Sequence, residues 1–199
     1  MKTPFLIAPL FTLSFFFSTL YLAPAQTAKP EHIVLTWKND PSQSQSVTWR
    51  TSSRLEHPIA QLSLASAAGK ITDRDQSYQA EMQEIKSLEG NTYFYYSVTF
   101  EGLKPGGIYR YRVGEAGNEM SEWNQFTTAD KTEDSYSFIY LGDIQNEVLA
   151  WGSRTVRAAY AKAPKAGFML FAGDLINDGH QDSQWIEWFE SLGHIRTMK

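Results

Sequence analysis

Twice in its last third this chain runs apolar and then stops at Gly-Asp: Ser137-Phe138-Ile139-Tyr140-Leu141-Gly142-Asp143 and Gly167-Phe168-Met169-Leu170-Phe171-Ala172-Gly173-Asp174. A charge-free run such as Gly167 to Ala172, bounded by turn residues, reads as a strand buried on both faces. Between the two runs Leu149, Val156, Tyr160 and Ala163 recur every third or fourth position or at multiples of that spacing, with Arg154, Arg157 and Lys162 between them. That spacing predicts an amphipathic helix ending before Pro164. Strand, helix, strand is a βαβ unit, and its parallel strands share one C-terminal edge. Ligands of open α/β sheets bind at that edge. Asp143 and Asp174 are both expected there.

Two carboxylates on neighbouring loops repel each other unless positive charge lies between them. Their oxygens suit hard or borderline divalent cations. A single Gly-Asp is more simply a turn or a helix N-cap. The pair, each member closing an apolar strand, favours a metal site.

Tyr140-Leu141-Gly142-Asp143 and Phe171-Ala172-Gly173-Asp174-Leu175 resemble the first two motifs of the calcineurin-like metallophosphoesterases, and the upstream region resembles that of purple acid phosphatases. The segment Asp182-Ser183-Gln184-Trp185-Ile186-Glu187-Trp188-Phe189 is similar to the Trp-rich helix of that family. The resemblance implies that Asp143 binds one metal and Asp174 bridges two. It places Gln145 where the superfamily usually has histidine, and Asn177 where purple enzymes have tyrosine. No iron–tyrosinate is therefore expected. Both substitutes keep an amide oxygen able to ligate a metal or orient water. The implied cofactors are two divalent or trivalent ions such as Fe, Zn or Mn, held by Asp143, Asp174, Gln145 and Asn177. The implied reaction is two-metal hydrolysis of a small phosphoester, with in-line attack at phosphorus.

The chain has 199 residues, 42% hydrophobic and 14% aromatic, enough for one medium or two small domains. It contains no cysteine, so disulfides and thiolate metal sites are excluded. A net charge of −4 without a basic stretch argues against nucleic acid as a partner. Residues 1–25 begin Met1-Lys2-Thr3, continue apolar to Leu22 and finish Ala23-Pro24-Ala25. They are read as a signal peptide cleaved before Gln26, with Pro9 arguing against a membrane anchor. The mature protein is expected to be secreted or periplasmic, without stable membrane association.

Residues 31–128 alternate. Ile33–Trp37, Gln45–Arg50, Ala60–Leu64, Tyr93–Phe100, Ile108–Val113 and Glu122–Thr128 each fit a half-buried strand. About seven short strands in such a length predict a β-sandwich. Leu103-Lys104-Pro105-Gly106-Gly107-Ile108-Tyr109 resembles the fibronectin type III turn before its penultimate strand, with Tyr109 as the corner tyrosine whose hydroxyl bonds to the backbone. Trp49 is read as core. A sandwich of this kind precedes the catalytic domain in purple acid phosphatases. Residues 129–135 read as a linker, and 136–199 as the N-terminal part of an α/β metallophosphoesterase domain.

Among the four histidines, His32 and His57 are read as surface residues, His180 as a solvated loop residue and His194 as a cation near a helix C-terminus. Asp178 reads as loop polarity and Asp182 as the N-cap of the following helix. Glu147 is placed at a helix start, where the dipole favours it. The superfamily's Gly-Asn-His motif is not found in this sequence, and 64 residues with two strands and two helices are too few to cover both faces of such a sheet. The chain is therefore read as a truncated product, a poor catalyst by itself, whose general acid lies beyond Lys199. The expected function is an exported, acid phosphatase-like phosphomonoesterase. The alternative is an exported binding or adhesion protein with a fibronectin type III-like module beside a degenerate hydrolase domain.

Overall fold

Residues 28–65, 75–132 and 135–198 are described by a computed structural model. The expected leader lies outside the described residues, and so do positions 133–134 of the expected linker. The alternating region forms eight strands: Glu31–Thr36 (β1), Gln45–Thr51 (β2), Pro58–Leu64 (β3), Gln76–Gln79 (β4), Glu81–Lys86 (β5), Thr92–Phe100 (β6), Ile108–Glu115 (β7) and Asn124–Thr127 (β8). They make two antiparallel four-stranded sheets in the orders β1-β2-β6-β5 and β4-β3-β7-β8. This is a β-sandwich, as expected.

Its core follows from the period of two along each strand. Val47 and Trp49 from β2, Ala60 and Leu62 from β3, Tyr96, Val98 and Phe100 from β6, and Tyr109, Tyr111 and Val113 from β7 all point inward. Trp49 stacks on Tyr96 with ring centroids 5.5 Å apart, and Tyr109 stacks on Phe126 at 5.6 Å. The corner tyrosine forms: the Lys104 amide donates to the Tyr109 hydroxyl at 2.8 Å. Gly107 is required beside it, because a Cβ there would stand 2.8 Å from both the Lys104 carbonyl oxygen and the Tyr109 ring.

Strands β4 and β5 did not show in the sequence. Every residue of β5, Glu81-Met82-Gln83-Glu84-Ile85-Lys86, is exposed. It is an edge strand that buries nothing, so it carries no hydrophobic alternation, and its charges discourage pairing with other chains.

After the sandwich, Ile139–Leu141 (β9) and Met169–Phe171 (β10) pair in parallel. Between them a π-helical turn, Val148–Gly152, runs into the helix Ser153–Lys162 (α1). Asp182–Leu192 (α2) and a short 3-10 turn, Gly193–Thr197, follow. Ile144, Val148, Val156, Trp188, Leu192 and Ile195 form a second core, to which Leu141, Met169 and Phe171 contribute from the strands. The expectation of a strand buried on both faces was wrong. Tyr140 and Leu170 are 63% and 46% exposed, because helices cover one face of this two-stranded sheet and leave the other open. Among the described residues no helix is long and apolar enough to cross a membrane.

The second core meets the sandwich chiefly along β1, and β2 joins it through Arg50 and Asp182. The burial of β2 is almost continuous, outward-facing Arg50 included, because Asp182 of α2 lies against it, while the 3-10 turn packs on β1 and β8. His32 stacks on Phe189 at 4.2 Å, Trp37 meets Phe168 edge-on at 4.8 Å, and the Tyr111 hydroxyl donates to the Thr197 carbonyl at 2.9 Å. The Arg196 guanidinium also donates to the Ile33 carbonyl.

Candidate metal centre

Parallel pairing in the register Ile139↔Met169, Tyr140↔Leu170 and Leu141↔Phe171 sends both chains out of the sheet at the same edge. The ladder continues past the strands. Ala172 N–H donates to Leu141 O at 2.8 Å, Asp143 N–H to Gly173 O at 3.3 Å, and Ile144 N–H to Asp174 O at 3.1 Å. Asp143 and Asp174 are therefore neighbours. Both hold left-handed backbone, with φ of 55° and 49°. For an L-residue that conformation costs roughly 1–2 kcal/mol, and aspartate is among the few types that adopt it. Strain of this sort persists where surrounding structure enforces it, and it clusters at functional sites. Here the enforcement comes from the two cross-loop hydrogen bonds.

Both carboxylates are exposed at the rim. Gln145 Nε2 donates to Asp143 Oδ1 at 3.2 Å. Asn177 Nδ2 donates to the Gln145 carbonyl at 3.2 Å and to Asn146 Oδ1 at 3.3 Å, so the amide group ties the second loop to the first. Asn177 and Asp178 both donate backbone N–H groups to Gln184 Oε1, at 2.9 and 3.0 Å. All four candidate residues, Asp143, Asp174, Gln145 and Asn177, are thus gathered at one rim. Among the described residues no hydrogen bond or ion pair reaches the Asp174 carboxylate.

In chemistry the donors fit a hard cation: two carboxylates plus amide oxygens, with no sulfur. In number they are few. Among the described residues no group of three or more His, Cys, Asp or Glu side chains is placed to hold a metal ion. Asp143 and Asp174 would hold the ion, with the amide oxygens of Gln145 and Asn177 as supplementary ligands.

The nearby polar residues depart from expectation. His32 is buried, not superficial. A bulge in β1, where the register shifts between Glu31 and Val34 and His32 takes a φ of 51°, turns its ring onto Phe189. Burial first, and the Arg50 charge second, push its pKa down to about 3, so the ring packs as a neutral aromatic. Asp182 is not the N-cap. Gln181 takes that place, without a side-chain cap bond, and Asp182 is the first residue of α2. Its carboxylate receives the Arg50 guanidinium through two hydrogen bonds, the NH2–Oδ2 one at 3.1 Å, and the Tyr93 hydroxyl at 2.8 Å.

Arg50 is 1% exposed and also donates through Nε to Glu31 at 2.8 Å. Its guanidinium carbon lies 4.1 Å from the centroid of the Tyr93 ring. Burial disfavours the charges of both partners. The paired hydrogen bonds outweigh it, raising the Arg50 pKa and lowering that of Asp182. Tyr93 is pushed up to about 12 by burial and by its bond to the same carboxylate. The sequence offered no sign of this cluster, since Arg50 and Asp182 are 132 positions apart. His57, His180 and His194 are exposed.

Comparison with known proteins bears on the sandwich. No curated protein matches the chain. Among solved structures, a computationally redesigned β-sandwich protein is 18% identical, over 52% of this chain and 96% of that one, with a TM-score of 0.34. Astrotactin-2, a vertebrate perforin-like membrane protein, is 16% identical over 67% of this chain and 26% of that one, at 0.39. The sensor domain of the anti-sigma factor RsgI4 of Pseudobacteroides cellulosolvens is 14% identical over 57% and 82%, at 0.33. Likeness at this level speaks to neither activity nor ligand. Residues 30–128, however, match the family model described as Purple acid Phosphatase, N-terminal domain. The chain carries a purple acid phosphatase-like N-terminal domain.

Proposed function

We propose that the region after the sandwich is the beginning of a metallophosphoesterase domain and that the protein is an exported, metal-dependent phosphoester hydrolase. The observation that carries this reading is the convergence of Asp143 and Asp174 on one edge of a parallel strand pair, both in left-handed turns fixed by cross-loop hydrogen bonds. A purple acid phosphatase-like domain directly upstream supports it. A bound divalent ion supplies Lewis-acid polarisation of a phosphoryl oxygen. The chain's own residues supply the rest. Asp143 and Asp174 concentrate negative charge at the rim, Gln145 orients Asp143, and Asn177 holds the two loops together. A two-ion site needs more donors than these four. Cleavage before Gln26 and release into the periplasm or medium complete the proposal.

The test is calorimetric titration of the full chain with Mn²⁺ and Zn²⁺, alongside hydrolysis of a generic aryl phosphate. Asp174→Asn is expected to weaken metal binding most, Asp143→Asn next and Gln145→Ala least. Losses of the order of 10–100-fold are the scale seen when even supporting groups of metal sites are changed. Metal binding indifferent to both aspartate variants would sink the reading. No metal binding at all would favour the alternative, an exported binding protein whose sandwich does the work.

A further inference from the structure

The rim is not built by the β9–β10 region alone. From it a chain of contacts runs back into the sandwich. Asp143 is held by Gln145, Gln145 O and Asn146 by the Asn177 amide, and Asn177 N–H and Asp178 N–H by Gln184. Gln184 stands in the first turn of α2, two residues after Asp182, and its own amide donates to Gln181 Oε1 at 2.8 Å. Asp182 is fixed by Arg50 on β2 and Tyr93 on β6, both rooted in the sandwich.

We infer that Arg50, acting through Asp182, is a positioning residue for the metal rim: the sandwich sets where the first turn of α2 begins, and that turn sets the Asn177 loop. The inference rests on reading the rim as a metal site. Several features make Arg50 suited to the task. A guanidinium fork gripping one carboxylate by two bonds fixes direction as well as distance, which a single lysine ammonium does not. The buried side chain has no alternative position, since Glu31 holds Nε and the Tyr93 ring covers the guanidinium face. Docking of α2 does not depend on this pair alone. Phe189 stacks on His32 toward the helix's other end, and Arg196 reaches the Ile33 carbonyl. Breaking the pair should therefore free the helix start while the helix remains docked.

Asp182→Asn in the full chain tests this, with Tyr93→Phe as a milder variant that removes one bond to the same carboxylate. Phe189→Ala serves as a control at the distant end of α2. The first readout is NMR amide exchange at Asn177 and Asp178 in the metal-free protein. Asp182→Asn should speed it about tenfold, Tyr93→Phe less and Phe189→Ala little, with β2 and β6 amides still protected in each. The second readout is Mn²⁺ affinity, which should fall about tenfold in Asp182→Asn. In a double variant with Asn177→Ala the two losses should be less than additive, since both act through one loop. Unchanged exchange at Asn177 and Asp178 overturns the inference whatever the metal does. So does faster exchange with unaltered Mn²⁺ affinity, or strict additivity. If the wild type binds no Mn²⁺, the metal reading fails by itself, and the exchange result alone decides whether Arg50 places the loop.

Discussion

The sandwich and the β9–β10 region solve opposite problems with the same residue types. In the sandwich, aromatics lie inside: Trp49, Tyr96, Phe100 and Tyr111 are at most 1% exposed. In the β9–β10 region many lie outside, with Tyr136, Tyr140 and Trp151 each at least 60% exposed. In the sandwich, glycines take nearly all of the left-handed positions, and His32 in the bulge is the exception. In the β9–β10 region Asp143, Glu147 and Asp174 take such positions as well. One region stores stability in a closed core. The other accepts strain and exposure to bring two carboxylates to a rim. The second region has a core of its own and is anchored to the first through contacts on β1, β2 and β6.

The largest break in the comparison should come from the sandwich core. Trp49→Ala removes a side chain with no exposure at all and should cost about 3–5 kcal/mol. Denaturant unfolding followed by far-UV circular dichroism measures it, and a loss below about 1 kcal/mol would mean the core repacks freely.

Acid should act next, at the seam. The folded His32 pKa of about 3 lies below the ordinary value of 6.5, so the unfolded state binds the proton first. Stability is therefore complete above about pH 6.5 and is lost as pH falls towards 3, a few kcal/mol in all at ~1.4 kcal/mol per pH unit. Asp182, whose pKa is also lowered, adds to the loss in the acid range below the ordinary carboxylate value. Arg50 and Arg196 also face the imidazole and oppose its charging, while the Asp182 carboxylate favours it. His32→Phe keeps the stack on Phe189 and should move the acid midpoint to lower pH. An unmoved midpoint would show that the seam is not where acid acts.

A smaller effect of opposite sign is expected at the rim. Asp174→Gly relieves left-handed strain and should stabilise the fold by about 1 kcal/mol while weakening metal binding. Destabilisation would mean that the carboxylate serves the fold rather than a ligand. Least of all should come from the open sheet face. Leu170→Ser, at a position 46% exposed, should shift stability by no more than about 0.5 kcal/mol. A larger cost, read by thermal melting, would reveal a partner covering that face.

Local pattern made much of this legible. Period-two alternation located the long central strands, and Lys104-Pro105-Gly106-Gly107 with Tyr109 marked a corner whose hydrogen bond is present. The apolar runs ending at Gly142-Asp143 and Gly173-Asp174 were enough to place both aspartates on one edge, since parallel strands must share it. Strand β5 escaped because an exposed edge strand leaves no apolar trace.

Whatever depends on neighbours along the chain is readable from local pattern: strand periodicity, the turn chemistry, the helix ending before Pro164, the paired carboxylates. Which faces are covered follows from the packing alone. Arg50 and His32 look like surface residues until α2 lies over β1 and β2, and Leu170 looks like core until its sheet proves to have two strands. Burial depends on what arrives from far away in sequence, and a charge such as that of Arg50 tolerates it because Asp182 arrives in the same place and Glu31 holds its Nε.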